Sequence, residues 1–428
     1  MINNLIQTLY NLADAMWVNK LGSVEFAATS FVWPVNYLFI SIGFGIFIAG
    51  TSILSQLVGS DQIKKANEYA AQIIGLSMVI SVVFAALGFV LTPFIIKFMG
   101  ATGDFYDYST TYLKWTFLDM PFMFLFFNIN SIMSAEGNTV TPTILSGISA
   151  ILNAILDPIF IFTLGLGIKG AAIATIISRG LVAVVGILIL KTKDTLIRPD
   201  FTDFKFDREK LSKIKDVALP SSIGQSGSAL GFIILNRFIA SYGTATVAAY
   251  GMVNRITSLL TQLTAGIGAG LTTIVGQNIG ADQLDRAVDG FRKALLCTWT
   301  MGILGCILII SNNAKVIDIF IRSKDDMEVI RLASEYLNYS ALFIPLMGMF
   351  NVLQGIFQGS GHTKYSMYME VSRLWFVRLP MILIFKNFTD LGPTGIWISM
   401  SVSNLIVCAF GYIIYRKGKW KDKLVTES

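Results

Sequence analysis

Residues 77–91 read SMVISVVFAALGFVL. The run has no charge and no alternation of apolar with polar positions, and residues 180–190 (GLVAVVGILIL) repeat the pattern. A strand of an outer-membrane barrel alternates its two faces residue by residue, so these runs are helical. Outward from them, the chain is a series of long apolar stretches separated by short polar breaks. A helix needs about 20 apolar residues to cross a hydrocarbon layer of about 30 Å. The reading is an all-α membrane protein.

Composition agrees. Of 428 residues, 54% are apolar and 14% charged, where soluble proteins carry about a quarter charged residues; mean hydropathy is +0.64. Twelve spans are expected, near 3–19, 26–57, 68–95, 108–134, 141–163 and 168–190, then 216–240, 246–278, 288–311, 329–358, 365–386 and 394–415. The net charge of +6 is concentrated in Lys191–Lys215 and Arg416–Lys423. Basic clusters stay on the cytoplasmic side, which places both termini there, in a cell (inner) membrane. The loop over Lys315–Arg331, on the other side, is mixed in charge and breaks the pattern. Charges that flank apolar spans argue against a nucleic-acid partner. Cys297, Cys306 and Cys408 fit no metal spacing or disulfide framework and read as small buried hydrophobes. No cleavable leader is visible.

The chain repeats itself. Gln56, Gly59 and Asp61 match Gln277, Gly280 and Asp282. Tyr112-Leu113 and Pro121 match Tyr336-Leu337 and Pro345. Glu136-Gly137-Asn138-Thr139 matches Ser360-Gly361-His362-Thr363, and Gly170 and Ser178 match Gly395 and Ser403. Pairs in one order at a nearly fixed offset indicate duplication. Six spans per half keep the same orientation, which predicts parallel repeats around a central cleft suited to alternating access. The divisions are an N-lobe (1–190), a cytoplasmic linker (191–215), a C-lobe (216–415) and a basic tail (416–428). Ala218-Leu219-Pro220 would align before residue 1, so the first helix is expected to be short, with a native start some 20 residues upstream.

Enzyme signatures are missing: there is no Walker loop, no His-Glu-x-x-His and no Gly-x-Ser-x-Gly. The single histidine, His362, reads as a loop residue. Polar groups inside the spans carry the information, because each costs free energy in hydrocarbon. Asn3, Gln7, Asn11 and Asp14 share one face of the first helix. Asn153 and Asp157 share a face of the fifth, and Pro158 frees the carbonyl of Ala154 beside them. Oxygen donors of this kind suit a hard cation, with Thr175 as a further hydroxyl. Two carboxylates in a low dielectric do not both stay charged without a proton or Na⁺ between them. Asp119, in the fourth helix, reads equally as a coupling or substrate group and as a wall position. In the second half, Glu370 and Arg373 are three apart and expected to neutralise one another, so ion coupling is assigned to the first half.

These residues resemble the multidrug and toxic compound extrusion (MATE) family over nearly the whole chain. The likeness rests on Leu9-Tyr10-Asn11-Leu12-Ala13-Asp14 before Leu21-Gly22, on Gln56 with Gly59, and on Glu136-Gly137-Asn138-Thr139. Leu156-Asp157-Pro158-Ile159-Phe160-Ile161-Phe162, Gly170-Ala171-Ala172-Ile173-Ala174-Thr175 and Gln358-Gly359-Ser360-Gly361 complete it. It implies two six-helix lobes and export of drugs in exchange for H⁺ or Na⁺. The N-lobe cation site of relatives falls on Asp14, Asn153, Asp157 and Thr175, with Gln7 nearby. Acids that some relatives carry in the seventh and tenth helices are absent here, so the likeness is to members lacking them.

The expected activity is therefore cation-coupled antiport of small cationic or amphipathic compounds, without chemistry at the protein and without a cofactor beyond the coupling ion. Trp33, Tyr37, Phe127 and Met252 are candidates to line a promiscuous path. The rival reading is a lipid-linked or polysaccharide flippase of the wider superfamily, which needs cations for phosphate; Arg237, Arg255, Arg373 and Arg378 are its candidates. The lipid bilayer and small molecules are the expected partners of a monomer.

Overall fold

Helices form where the sequence is apolar, and several end in turns where a glycine or aspartate takes the left-handed conformation, as at Asp61, Gly100, Gly137, Asp282 and Gly361. The computed structural model describes residues 2–192, 194–320 and 327–424; the side chains of residues 2–5, 7–9, 11–12 and 319–320 lie outside that description, as do Asp325 and Asp326 of the expected outer loop. The first half holds α1 (Ile2–Asn19), α2 (Ser23–Gly59), α3 (Ile63–Phe98), α4 (Gly103–Ala135), α5 (Val140–Pro158) and α6 (Ile168–Leu190). The second holds α7 (Arg208–Ala240), α8 (Thr244–Gly280), α9 (Leu284–Ser311), α10 (Asn313–Phe320), α11 (Met327–Leu342), α12 (Ile344–Gly359), α13 (Thr363–Val371), α14 (Leu379–Phe388) and α15 (Pro393–Arg416). No strand occurs among the described residues.

Nine described helices are long and apolar enough to cross a membrane, or ten when α11 and α12, bent by 47°, count as one span. The two remaining expected spans are α1 and the stretch from Thr363 to Phe388. That stretch is interrupted by a π-helical segment, Ser372–Arg378. Large apolar side chains on the outer faces are exposed: Phe94 by 70%, Leu308 by 65% and Phe376 by 74%. A surface of that kind belongs in lipid.

Contacts divide the chain into one unit of Ile2–Ser222 with the tail from Leu424, and another of Ile223–Lys423. In the first, α4 packs on α2, α3 and α6, and α5 packs on α1 and α6. Its core includes Ile53, Leu54, Phe117 and Phe124. In the second, α12 packs on α8, α9 and α15, and α11 on α8. A Cβ at Gly355 would run into the Gly268 carbonyl, and one at Gly268 into the Asn351 carbonyl. Only glycines allow α8 and α12 to approach so closely.

The duplication extends to backbone torsions. Asp61 (φ 58°) and Asp282 (φ 59°) both take the left-handed conformation after their helices, as do Gly137 (φ 87°) and Gly361 (φ 79°). The Glu136–Thr139 motif is thus a turn. Asn138 accepts the Thr141 amide at 3.0 Å, and Glu136 accepts the Ile197 amide at 2.6 Å.

Four expectations need adjustment. The seventh helix starts at Arg208, inside the polar stretch read as linker, because Asp207 Oδ1 caps it by accepting the amides of Glu209 (2.8 Å) and Lys210 (3.2 Å). The tenth span is bent at Phe343, just before Pro345. A short extra helix, α10, occupies part of the expected outer loop. Finally, Cys408 is buried but Cys297 is exposed on α9, an outer apolar position where a thiol needs no polar partner.

Candidate functional site: a buried acid cluster in the first unit

α1, α4, α5 and α6 bring one polar cluster into the apolar interior of the first unit. Pro158 has no N–H to continue the α-helical ladder, and the chain passes through a π-helical turn, Ile159–Thr163, before α6. Asn153 and Asp157, one turn apart, face inward and are fully buried. Asn153 Nδ2 donates to Asp157 Oδ1 at 3.1 Å and lies 3.4 Å from Thr175 Oγ1 on α6. Tyr10, on α1, donates its hydroxyl to the same Thr175 oxygen at 3.1 Å.

Apart from Oδ1 of Asp119 on α4, three oxygens of α1 and α5 are buried and have no hydrogen-bond partner: Asp14 Oδ1, Asn153 Oδ1 and Asp157 Oδ2. Nearly all buried polar atoms in folded proteins are paired, so three orphaned acceptors on neighbouring elements mark a place for a proton or a cation. Asp14 and Asp157 are within electrostatic reach of each other. Among the described residues no three His, Cys, Asp or Glu side chains gather as a metal cluster. The donors are two carboxylates, an amide and a hydroxyl, all hard oxygens, which fit H⁺ or a hard monovalent ion.

The structure thus brings together Asp14, Asn153, Asp157 and Thr175. Gln7 and Asn11, expected on the same face, lie outside the described side chains, as does Asn3. Asp119 is buried and paired with Arg179 of α6. Sequence reasoning passed over Arg179, although a lone arginine within the apolar run of α6 is the kind of residue that signals function in a span. Its guanidinium sits 5.6 Å from the Tyr10 ring centroid and within electrostatic reach of Asp14. Tyr10 was also missed as a polar group. Trp33 and Tyr37 stack on each other along α2 (4.9 Å), and Phe127 meets Phe44 and Phe47 at 6.3 Å. Met252 lies in the other unit, packed on its core. In that unit Glu370 and Arg373 pair at 3.3 Å as expected.

A sequence model of the MatE family matches residues 1–159 and 220–384. The chain belongs to the MatE family. This is a family of transporters, and the MatE chain is accordingly a multi-pass membrane transporter rather than an enzyme. It is 26% identical over its full length to the probable multidrug resistance protein YpnP of Bacillus subtilis, covering 95% of that protein. Among solved structures it resembles a MATE protein in complex with MaL6 (TM-score 0.92, 26% identity, 98% of this chain and 94% of that one). It also resembles a MOP superfamily transporter from Pyrococcus furiosus, described as having a binding pocket of reverse polarity (TM-score 0.91, 26% identity, 99% and 94% covered).

Proposed function

We propose that this MatE chain exports small amphipathic or cationic drug-like compounds by alternating access, in exchange for one H⁺ or Na⁺ held by Asp14, Asn153, Asp157 and Thr175. The observation that carries the reading is the trio of orphaned buried oxygens in the first unit. The substrate class comes from relatives named for multidrug resistance or export. In this scheme the cation replaces the missing partner of Asp14 and Asp157, and its arrival favours substrate release on the outer side. One charge moving through 100 mV supplies about 2.3 kcal/mol, enough for roughly a fiftyfold substrate gradient. The protein acts as a monomer in the cytoplasmic membrane with both termini inside, and no cofactor takes part.

Ethidium efflux from cells expressing the protein tests this. Wild type lowers dye accumulation; Asp157→Asn, which keeps the shape but removes the charge, raises it to the level of cells without the protein. Equal accumulation in wild type and variant overturns the mechanism.

A second reading is kept alive by one observation: the second unit buries Arg378 with only uncharged acceptors. A flippase for lipid-linked saccharides would use such a cation for phosphate. It predicts no ethidium efflux and a phosphate-dependent flip of labelled lipid.

A further inference from the structure

The second unit holds a partly open cavity of about 300 Å³ with largely apolar walls, into whose lining Arg373, Arg378, Asn254, Asn404, Tyr250 and Tyr336 bring polar groups. Arg237 and Arg255, expected from the sequence as companions, are not among its lining residues. Arg378 is only 3% exposed. Its Nε donates to Ser403 Oγ at 2.9 Å, and its Nη2 donates to Asn404 Oδ1 at 2.9 Å and to the Met400 carbonyl at 3.3 Å. All three acceptors are uncharged, and Nη1 has no acceptor among the described residues. Arg373 donates from Nη2 to Glu370 Oε2 at 3.3 Å and lies 4.4 Å over the Phe350 ring, while its Nε is buried without a partner. Glu370 also accepts from Ser228 (2.7 Å) and Gln354 (3.3 Å). Two guanidiniums therefore share one carboxylate that is already committed elsewhere. A buried cation without a counter-charge is costly and rare within membrane spans. Both arginines line the cavity, and each keeps an N–H group that no acceptor among the described residues takes.

The internal repeat makes this cavity the counterpart of the acid cluster. The offset that pairs Gly170 with Gly395 and Ser178 with Ser403 carries Asn153 onto Arg378, Thr175 onto Met400 and Arg179 onto Asn404. Tyr112, within electrostatic reach of Asp14 and Asp157, pairs with Tyr336. The contacts repeat as well. Asn153 reaches Thr175 in one unit, and Arg378 reaches the Met400 carbonyl and Asn404 in the other. One framework thus holds unpaired acceptors in the first unit and unpaired donors in the second.

We propose that the cavity of the second unit binds a carboxylate or phosphate group on a small aromatic or amphipathic molecule. Arg378 and Arg373 supply charged donors, which suit planar or tetrahedral oxyanions. Tyr250 and Tyr336, stacked at 5.8 Å, supply a flat aromatic wall for the body of the ligand. The source is either a free organic anion or the phosphate of a lipid headgroup. The site is independent of cation-coupled export: loss of dye efflux leaves it standing, and its absence leaves the acid cluster untouched.

The test uses the purified full chain in a phosphate-free maltoside, with benzoate, phenyl phosphate and the neutral benzamide as probes in saturation-transfer NMR titrations. At least one anion binds wild type tenfold or more tightly than benzamide. The preference falls at least tenfold in Arg378→Gln and in Asn404→Asp. The second variant keeps the side-chain shape while placing a resident carboxylate beside the guanidinium, and so decides the matter if the first fails to fold; monodisperse elution establishes that it is folded. The titration is then repeated in nanodiscs containing phosphatidylglycerol. An affinity that falls with the lipid fraction assigns the site to a headgroup, and an unchanged affinity assigns it to a free anion. No preference for either anion over benzamide in wild type, or an undiminished preference in folded Asn404→Asp, overturns the proposal.

Discussion

Asn153 donates from Nδ2 to Asp157 Oδ1 across one turn of α5, at 3.1 Å, and both Asn153 Oδ1 and Asp157 Oδ2 stay buried without a partner. The amide orients the carboxylate without consuming it. Asn153→Ala removes the orienting donor and one acceptor oxygen while leaving Asp157 in place. The expected outcome is efflux that survives but needs about tenfold more coupling cation, read as a shift in the H⁺ or Na⁺ concentration giving half-maximal rate. An unchanged cation dependence removes Asn153 from the site.

Thr175 accepts from both Tyr10 and Asn153. Thr175→Val keeps the volume and leaves the Tyr10 hydroxyl without its acceptor, at a cost of about 1–3 kcal/mol, while Asn153 Nδ2 keeps its bond to Asp157 Oδ1. Tyr10→Phe removes that stranded donor. The double variant is therefore expected to be closer to wild type in melting temperature than the sum of the two single changes. Strict additivity in scanning fluorimetry contradicts the shared contact.

Asp119 and Arg179 form an ion pair with side-chain exposures of 3% and 23%. Breaking a fully buried pair from one side costs about 3–5 kcal/mol, and the partial exposure of Arg179 places this pair below that range. Asp119→Asn and Arg179→Gln each destabilise the protein, and the combination does so by less than their sum. A coupling energy near zero in the double-mutant cycle shows that the pair does not act as a unit.

Asp207 lies outside the spans. The backbone amides of Lys210 and Glu209 and the nearby Lys210 ammonium hold its carboxyl below the usual carboxylate range. A depressed pKa means that the cap stabilises α7 above the unfolded-state pKa of about 4 and is lost as pH falls through the lower folded value. Asp207→Ala therefore lowers the melting temperature at neutral pH, and the gap to wild type closes below about pH 4. A gap that stays constant through acid pH argues against a charged cap.

Much of this was legible in the sequence because hydrophobic length is a strong signal. Runs such as residues 77–91 could be nothing but helix, and the paired Asp61 and Asp282 announced a duplication that the torsions repeat. Asn153 and Asp157 could be read because their four-residue spacing places them on one face. Interruptions within spans were not legible: the π-helical segment at Ser372–Arg378 contains neither glycine nor proline, and the bend at Phe343 lies beside Pro345, a residue type that other helices of this chain, such as α4 with Pro121, hold without a break. Arg179 is not legible as the counter-ion of Asp119, because the two lie on different helices and only their pairing in three dimensions joins them. The second unit shows the same dependence on three-dimensional pairing. Glu370 and Arg373 do pair, but Arg378, five residues on, is left without a carboxylate of its own.

The central claim is that Asp14 and Asp157 serve one coupling cation together. It is tested most directly in proteoliposomes by imposing ΔpH and ΔNa⁺ separately and following ethidium flux for wild type, Asp14→Asn and Asp157→Asn. One of the two gradients drives flux in wild type, and each single variant reduces that driven flux at least tenfold. Gradient-driven flux that persists undiminished in either variant contradicts the account.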